Sequence, residues 1–376
     1  MASEQLIMEA DQAFLPHDMV ITILERLPVK SLIRFRIVGK NWEKLIKTPS
    51  FIRDQLHQSS HQNHLLLLKW HRAGSAQMQV GFLDRDMQVL EVQKSPLANW
   101  NFAWIVGSSN GLLCVVEKGV SDALLLWNPA IRKVRKVCLE TSATDYFFGF
   151  GFSPNDNDYK IVRIKVLDYQ IVPKRMKVYS LNSESWKKVE VANLEGFRVR
   201  SSRNVTVNGV VFWIGGKQGG NDYDQILSYD LSKEEFTVIP MPILNSYDEK
   251  RLIVYENKVA VVACIKGEDK LYSIHLWVRE EDTFESRQDC KKWSWTKRYT
   301  SCPCPCKLKP VSMWKNEIVF LPFDTGNDGQ TPILYLLNIT TDVFKKLAVG
   351  SNSYNIELFN YVEGLALLAH DNVEKL

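Results

Sequence analysis

The sequence contains no run of about 18 consecutive apolar residues, although 45% of its 376 residues are hydrophobic. Because a membrane-spanning helix needs such a run, we expect no transmembrane segment. The first residues, MASEQLIMEADQAF, include acidic side chains and no long apolar core, which disfavours a secretory leader. Net charge is also small, since Lys and Arg exceed Asp and Glu by only 4. Without a concentrated basic stripe, neither nucleic acid nor a membrane is an expected partner.

The motifs of several enzyme classes are missing as well. The sequence has no Gly-rich phosphate-binding loop, no G-x-S-x-G nucleophile elbow, no H-E-x-x-H zinc motif and no repeated Asp boxes of the sialidase type. We therefore predict no catalytic residues, no cofactor and no bound metal.

Seven cysteines are an odd number for a chain without a secretory leader, so we expect reduced thiols in the cytoplasm, the nucleus or both. Cys302, Cys304 and Cys306 alternate with prolines, a tighter spacing than that of zinc ligands, and this favours an exposed loop over a metal site. The segment LHQSSHQNH has three histidines at helical spacing, but it is rich in Ser, Gln and Asn and offers no fourth ligand. It favours a solvated linker, which we place at residues 58–62.

Residues 14–57 carry apolar residues at helical spacing, together with start and stop signals for short helices. Pro28 ends the first helix, Ser31 is the predicted N-cap of the second, and Gly39 separates the second from the third. Thr48 is the predicted N-cap of a last short helix, with a proline at its first position. A unit of about 40 residues buries little surface alone. Its remaining apolar faces need either the following domain or another protein, and the pattern does not choose between them.

After residue 60 the hydrophobic pattern changes to short strands in a repeat. A turn residue precedes an apolar run in NHLLLLKW, NGLLCVV, NDYKIVRI, NGVVFWI, NKVAVVAC, NEIVFL and EGLALL. These segments begin 47 to 59 residues apart, which is typical of a kelch-class β-propeller. We predict about six blades, closed by a terminal hairpin around YNIELFNYVEGLALL that returns to the first blade. Seven blades, an incomplete ring or two stacked sandwiches are the alternatives.

The helical segment LPHDMVITILERLPVKSLIRFRIVGKNWEKLIKTPSF closely resembles the plant F-box. The resemblance implies docking on a Skp-type adaptor, which bridges the chain to the cullin and RING subunits of a ubiquitin ligase. Ile37, Gly39 and Asn41 depart from the usual residues of the motif. The positions that match the motif, and that we predict to bind the adaptor, are Leu15, Pro16, Ile23, Leu24, Leu27, Leu32, Phe35, Val38 and Trp42.

The segments WNPAIRKVRKV, FGFGFSPNDNDYKIVRI, VYSLNSESWKKV and VNGVVFWIGG are similar to the plant F-box-associated domain, including the S-locus F-box group. Ile131 and Ser153 depart from the more usual residues. The resemblance implies a target-recognition domain whose client differs between members, and a self-incompatibility ribonuclease would be the client only for a true S-locus member. We thus predict an α+β chain in two domains: a flexible N-terminus (1–13), a helical F-box (14–57), a linker (58–62), a propeller of about six kelch-like blades (63–370) and a tail (371–376).

The predicted function is the substrate-recognition subunit of an SCF-type E3 ubiquitin ligase, non-catalytic itself, which binds a target protein through the propeller. Two alternatives remain open from the sequence. One is an adaptor-binding scaffold or inhibitor that delivers no client, and the other is a propeller enzyme.

Strand order also predicts where a client binds. In an up-and-down blade, the first-to-second and third-to-fourth turns share one face of the disc, and the remaining connections share the other. The turns of the first class are mostly tight in this sequence. The connections of the second class are long and differ between blades, and they include VLDYQIVPKR, GGKQGGNDYDQ, MPILNSYDEK, SCPCPCKLK and FDTGNDGQT. Variable loops on a rigid scaffold usually carry specificity, although they can also be tolerated insertions. The candidate client anchors are Tyr169, Arg175, Tyr223, Tyr247 and Phe323.

Overall fold

In the computed structural model of the chain, four α-helices precede a ring of β-strands. The structure describes residues 16–62, 64–72, 78–84, 86–94, 103–117, 124–139, 146–167, 170–190, 194, 196–217, 225–242, 249–280, 294–323, 333–349, 353–367 and 374–375.

The helices are α1 (His17–Glu25), α2 (Val29–Phe35), α3 (Lys40–Ile46) and α4 (Pro49–Gln62). Thr48 caps α4 as predicted, since its Oγ1 lies 3.4 Å from the backbone N of Phe51. The predicted N-cap at Ser31 is wrong, because Pro28 occupies that position and Ser31 lies inside α2. A proline fits there, since its fixed φ suits the extended residue before a helix.

The predicted linker at residues 58–62 is also wrong, because α4 continues through Gln62. The polar composition of this segment suggested a loop, but Ser59 is buried and hydrogen-bonded to a side chain one turn earlier in the helix. Gln55 Nε2 donates to Ser59 Oγ at 2.7 Å, one turn apart and buried. His57 is exposed on the same helix, and no group of three His, Cys, Asp or Glu residues in the described part of the chain could hold a metal ion.

The strands form six antiparallel blades. The first blade contains β1 (His64–Arg72), β2 (Met78–Leu83) and β3 (Val89–Lys94). The second contains β4 (Ala103–Ser109), β5 (Leu112–Glu117), β6 (Leu124–Asn128) and β7 (Lys133–Val137). The third contains β8 (Tyr146–Ser153), β9 (Asp158–Leu167), β10 (Gln170–Ser180) and β11 (Ser185–Val189).

The remaining three blades repeat this arrangement. The fourth contains β12 (Phe197–Val207), β13 (Val210–Lys217), β14 (Gln225–Asp230) and β15 (Glu235–Pro240). The fifth contains β16 (Glu249–Tyr255), β17 (Lys258–Lys266), β18 (Tyr272–Glu280) and β19 (Ser294–Thr300). The sixth contains β20 (Leu308–Trp314), β21 (Glu317–Pro322), β22 (Ile333–Asn338) and β23 (Val343–Ala348). The prediction of about six blades is confirmed.

The ring is closed by β24 (Ser353–Val362), which completes the first blade by pairing with β1, for example Leu67 opposite Phe359. Closure by the C-terminal region is as predicted, but a hairpin is not formed. Residues 363–367, predicted as a strand from EGLALL, leave the sheet after β24. Part of the predicted tail is a fifth strand of the second blade, β25 (Glu374–Lys375), which pairs with β7.

Six clusters of buried apolar residues, within the described part of the chain, each join one blade to the next. The cluster between the first and second blades includes Val80 and Trp127, and the one between the third and fourth includes Val162 and Trp213. Because each blade buries both of its faces against its neighbours, no blade has a complete core of its own.

The repeated Asn residues of the sequence occupy tight turns between the first two strands of a blade. Asn208 and Gly209 join β12 to β13 with φ of +49° and +76°. Such turns need the left-handed region, which Asn and Gly enter at the lowest cost. We call the face of the disc that carries these turns the tight-turn face, and the opposite face the long-loop face.

Gly111 provides a test of this turn geometry. Its φ is +84°, and a Cβ at this position would lie 2.8 Å from the backbone N of Gly364. We expect Gly111→Ala to lower the free energy of unfolding by about 3 kcal/mol, because backbone strain and a backbone clash add together. Gly196→Ala is the matched control, since Gly196 has φ of +73° with nothing within 4 Å of that position, and about 1 kcal/mol is expected from strain alone. Equal losses in urea denaturation would contradict the proposed clash.

Candidate docking surfaces

The helices pack directly on the propeller. We call residues 16–62 the helical module. Its core contains Leu24, Val29, Ile46 and Phe51, and the same cluster includes Leu365 from the segment that follows β24. One apolar side of the module is therefore covered by the propeller of the same chain. The sequence left open whether the following domain or another protein covers these apolar faces, and for this side it is the following domain.

A buried asparagine holds this joint in place. Asn128 Nδ2 donates to the carbonyl oxygens of Gly364 at 2.9 Å and Ala366 at 2.8 Å, and Asn128 Oδ1 accepts from the backbone N of Ala130 at 3.1 Å. One side chain thus connects the turn after β6 to residues 363–367, which support the helices. Removing such a buried hydrogen-bonding group would leave several polar atoms without partners.

Charged groups add a second connection between the helices and the first blade. Lys30 of α2 forms an ion pair with Glu91 of β3, and Arg132 lies 3.4 Å from the same carboxylate. Burial acts to raise the pKa of Glu91, but Lys30 and Arg132 hold that pKa below its ordinary value. Burial raises the pKa of Glu363 at the same joint.

The other side of the helical module exposes large apolar side chains. Ile23 is 49% exposed on α1, and Ile37 and Val38 are 87% and 72% exposed in the turn after α2. Phe35 stacks on Trp42 with ring centroids 5.9 Å apart, which joins α2 to α3 at the edge of this surface. We define the exposed apolar surface as Pro16, Met19, Ile23, Phe35, Ile37 and Val38, with the half-buried Trp42 at its edge.

Four of the predicted adaptor-binding residues belong to that surface, namely Pro16, Ile23, Phe35 and Val38, and Trp42 is half-buried at its edge. Leu24 and Leu32 do not, because they are 3% and 0% exposed in the core of the module. A partner could reach them only if the helices separated, so they are corrected to core residues. Leu27 is half-buried against the same core, and Leu15 lies outside the described residues.

Two exposed residues were absent from the predicted set. Met19 lies one turn before Ile23, and its exposed side chain shares the face of that residue. In the sequence, Ile37 is marked only by its departure from the usual residues of the motif. The spacing of Met19 four residues before Ile23 was enough to identify it from the sequence. The exposure of Ile37 depends instead on the direction of the turn after α2, which the sequence does not give.

The helical module occupies the tight-turn face of the propeller. Its contacts there are with Ala130 and Ile131, in the turn from β6 to β7, and with Leu365 after the end of β24. These positions all lie at the tight-turn ends of the first two blades. The long-loop face is therefore directed away from the helices.

The predicted client anchors are mostly beyond the structural description. Tyr169, Tyr223 and Tyr247 lie outside the described residues. Arg175 is part of β10, although nothing is described of its side chain. The predicted long loop VLDYQIVPKR is wrong, because β9 and β10 extend through most of it and only residues 168–169 separate them. Extended pairing was hidden by the proline and the mixed polarity of this segment.

Phe323 is the one predicted anchor whose side chain is described. It is 53% exposed after β21 on the long-loop face, and Lys307 Nζ lies 4.0 Å from its ring centroid. A cation over an exposed ring favours a fixed orientation of that ring, as a binding anchor requires.

The alternating Cys-Pro segment is less exposed than predicted. Cys302 and Cys306 reach solvent, but Cys304 is buried and pairs with β18. The backbone N of Cys304 donates to Tyr272 O at 2.7 Å, and Tyr272 N donates to Cys304 O at 2.8 Å. Hydrogen bonding to Asp342, together with its charge, raises the pKa of Cys302 and leaves the thiol protonated at neutral pH.

Comparisons with known proteins agree with this geometry. A family model described as F-box domain matches residues 14–54, and one described as F-box associated beta propeller domain matches residues 66–367. An Arabidopsis thaliana protein with an F-box name is 31% identical over 252 residues, which span 63% of this chain and 64% of that one. Another from the same organism is 24% identical over 382 residues and 96% of each chain.

Solved structures resemble the chain only distantly. An oligogalacturonate lyase from Vibrio parahaemolyticus has a TM-score of 0.42 and 10% identity, with 75% of this chain and 79% of that chain covered. This likeness supports no argument about function. Among the described residues, none of the helices combines the length and apolarity that crossing a membrane requires.

Proposed function

We propose that this chain, which belongs to the plant F-box proteins with an F-box-associated β-propeller, is the substrate-recognition subunit of an SCF-type ubiquitin ligase. The observation that carries the proposal is the division of the molecule into two outward surfaces. The exposed apolar surface lies on the helical module, and the long-loop face lies on the opposite side of the disc.

The exposed apolar surface is the proposed site for a Skp-type adaptor. Ile23, Val38 and Phe35 present apolar area that water covers in the free chain, and large exposed apolar patches mark protein contacts. The buried side of the same helices is already used by the propeller. The adaptor would in turn connect the chain to the cullin and RING subunits.

The long-loop face is the proposed client site. It is free of the helical module, and Phe323 supplies an exposed aromatic group on it, with Lys307 beside its ring. Tyr169, Arg175, Tyr223 and Tyr247 remain proposed anchors. The chain would act by proximity, since holding a client beside the ubiquitin-loaded enzyme raises its effective concentration. The family consists typically of non-catalytic receptor subunits, and we propose the same here, in the cytoplasm, the nucleus or both.

Reconstituted ubiquitination tests the proposal. Full-length protein would be combined with adaptor, cullin and RING subunits and with a client recovered by affinity purification. We expect ubiquitin transfer to the client, and we expect it to be lost in a variant with Ile23→Asp and Val38→Asp although the client still binds. This variant is a better control than deletion of the helices, because deletion would uncover Leu365 and Ile131 on the propeller. A bound client that the wild-type complex never modifies would instead identify a scaffold or inhibitor.

A further inference from the structure

The centre of the propeller contains a cavity of about 230 Å³. Its wall includes Glu249, Lys250 and Arg251 at the start of β16 and Lys309 at the start of β20, with Arg203 from β12. These inner strands run from the long-loop face to the tight-turn face, so the cavity lies at the long-loop end of the central channel.

Positive charge is concentrated around this cavity. Four cationic side chains line it together with one carboxylate, Glu249. Lys307 lies 3.2 Å from Glu249, and Lys69 lies 3.0 Å from Glu357, which is also 3.8 Å from Arg203. Among the described residues, the cluster therefore holds six cations and two carboxylates. We call these eight residues the cation cluster: Lys69, Arg203, Lys250, Arg251, Lys307, Lys309, Glu249 and Glu357.

The cations of the cluster repel one another. Burial and the nearby charge of Arg203 lower the pKa of Arg251 to about 9, and Glu357 offsets only part of this effect. Burial likewise lowers the pKa of Lys309, and both Arg203 and Arg251 act in the same direction. Like charges brought together by folding destabilise the folded state, and groups with perturbed pKa values cluster at functional sites.

The channel continues below the cavity with walls of mixed polarity. A second cavity of about 100 Å³ shares Asn204, Arg251 and Leu252 with the first and is lined further by Ser108 and Thr206. Arg251 thus lies where the two cavities meet. A ligand in the upper cavity would therefore contact Arg251, whose pKa is lowered by burial and by Arg203.

We infer that the cation cluster binds a phosphate group that enters the central channel from the long-loop face. Within the described part of the chain, Glu249 already pairs with Lys307, and Glu357 already pairs with Lys69. A ligand that balances both Arg251 and Lys309 must therefore bring more than one negative charge to one place. A phosphate monoester brings about two charges near neutral pH and several acceptor oxygens for Arg and Lys. A cleft lined by one sign of charge also concentrates such ligands. The binding chemistry stands without the adaptor, whereas its use in client capture rests on the proposed function.

Thermal melting with inorganic pyrophosphate as the probe tests the inference. We expect a saturable rise in melting temperature for the wild type, smaller at higher ionic strength. Lys309→Met and Arg251→Met should each weaken pyrophosphate binding by about tenfold or more. Without the probe they should melt at or above the wild-type temperature, because repulsion is relieved. Lys309→Arg should keep the response, and Lys345→Met on the exposed face of β23 is the matched control for loss of one positive charge.

The inference is overturned if wild-type protein shows no saturable shift. It is also overturned if Lys309→Met and Arg251→Met melt lower than wild type and keep the full pyrophosphate response, since the cations would then serve only the fold. Binding of a phosphoserine peptide, compared with its serine counterpart and with pyrophosphate, separates a modified client from a small phosphorylated molecule. Adaptor binding should be unchanged in all these variants, so a failure of adaptor docking and a failure of the phosphate site give different results.

Discussion

Replacing Ile23 and Val38 by aspartate is expected to abolish capture of a Skp-type adaptor. Both side chains are well exposed, so the fold should tolerate the change, whereas the interface would gain two unpaired charges in an apolar contact. At about 2 kcal/mol for each residue, the loss amounts to roughly a thousandfold in affinity. Co-purification of adaptor with the variant, measured as the ratio of the two proteins, checks the expectation.

The matched control is Val89→Asp, which places the same charge on a 55% exposed residue of the first blade. It should leave adaptor capture unchanged. Leu24→Asp provides a contrast, because this residue is 3% exposed and its substitution should lower the melting temperature of the helical module. If the Ile23 and Val38 variant retains adaptor at the wild-type ratio, the proposed docking surface is wrong.

Removal of residues 353–376 is expected to destroy cooperative unfolding of the propeller. The deletion takes away β24, leaves β1 with an unpaired edge facing the channel, and removes Leu365 from beneath the helices. An open ring also exposes the apolar faces of the first and sixth blades, which share a core with β24 residues such as Leu358. We expect a broad transition and a large loss of soluble protein, measured by circular dichroism and yield.

A shorter deletion, of residues 368–376, is the control for this experiment. It removes the two-residue strand β25 and keeps both β24 and Leu365. Its melting should stay close to that of the full chain. A chain without residues 353–376 that melts as sharply and at the same temperature as the parent would argue against closure by β24.

The sequence predicted the architecture well because each blade repeats a local signal. An Asn at a left-handed turn followed by an apolar strand recurs at Asn110, Asn157, Asn208 and Asn257, and both features are determined by nearby residues. EGLALL, which has Glu in place of Asn before its apolar run, was wrongly predicted to be a strand. Its partners are the helices and the turn that follows β6, which lie more than 200 residues away in the chain, as with Asn128 and Gly364.

The candidate sites depend on long-range packing and were predicted less completely. The exposed residues of the helices can be predicted only if it is known that Leu24 and Leu32 face inward. Helical spacing alone does not decide this. The cation cluster was not predicted at all. Arg203, Arg251 and Lys309 are about 50 residues apart, and only ring formation brings them together, so the small net charge of the whole chain concealed a local excess.

The joint between helices and propeller has a consequence for the geometry of ubiquitin transfer. Helix α4 ends at Gln62 and β1 begins at His64, and Asn128 holds the segment that carries Leu365, so adaptor and client sites would move together as one body. A seven-residue inner strand such as β16 spans about 23 Å, and this length sets the distance between the two faces of the disc. We expect the distance between a client lysine and the ubiquitin-loaded enzyme to decide which lysines are modified. A lysine on a long mobile segment of the client would extend past the rim of the disc toward the enzyme. Lysines beside the surface bound to the propeller would stay out of range.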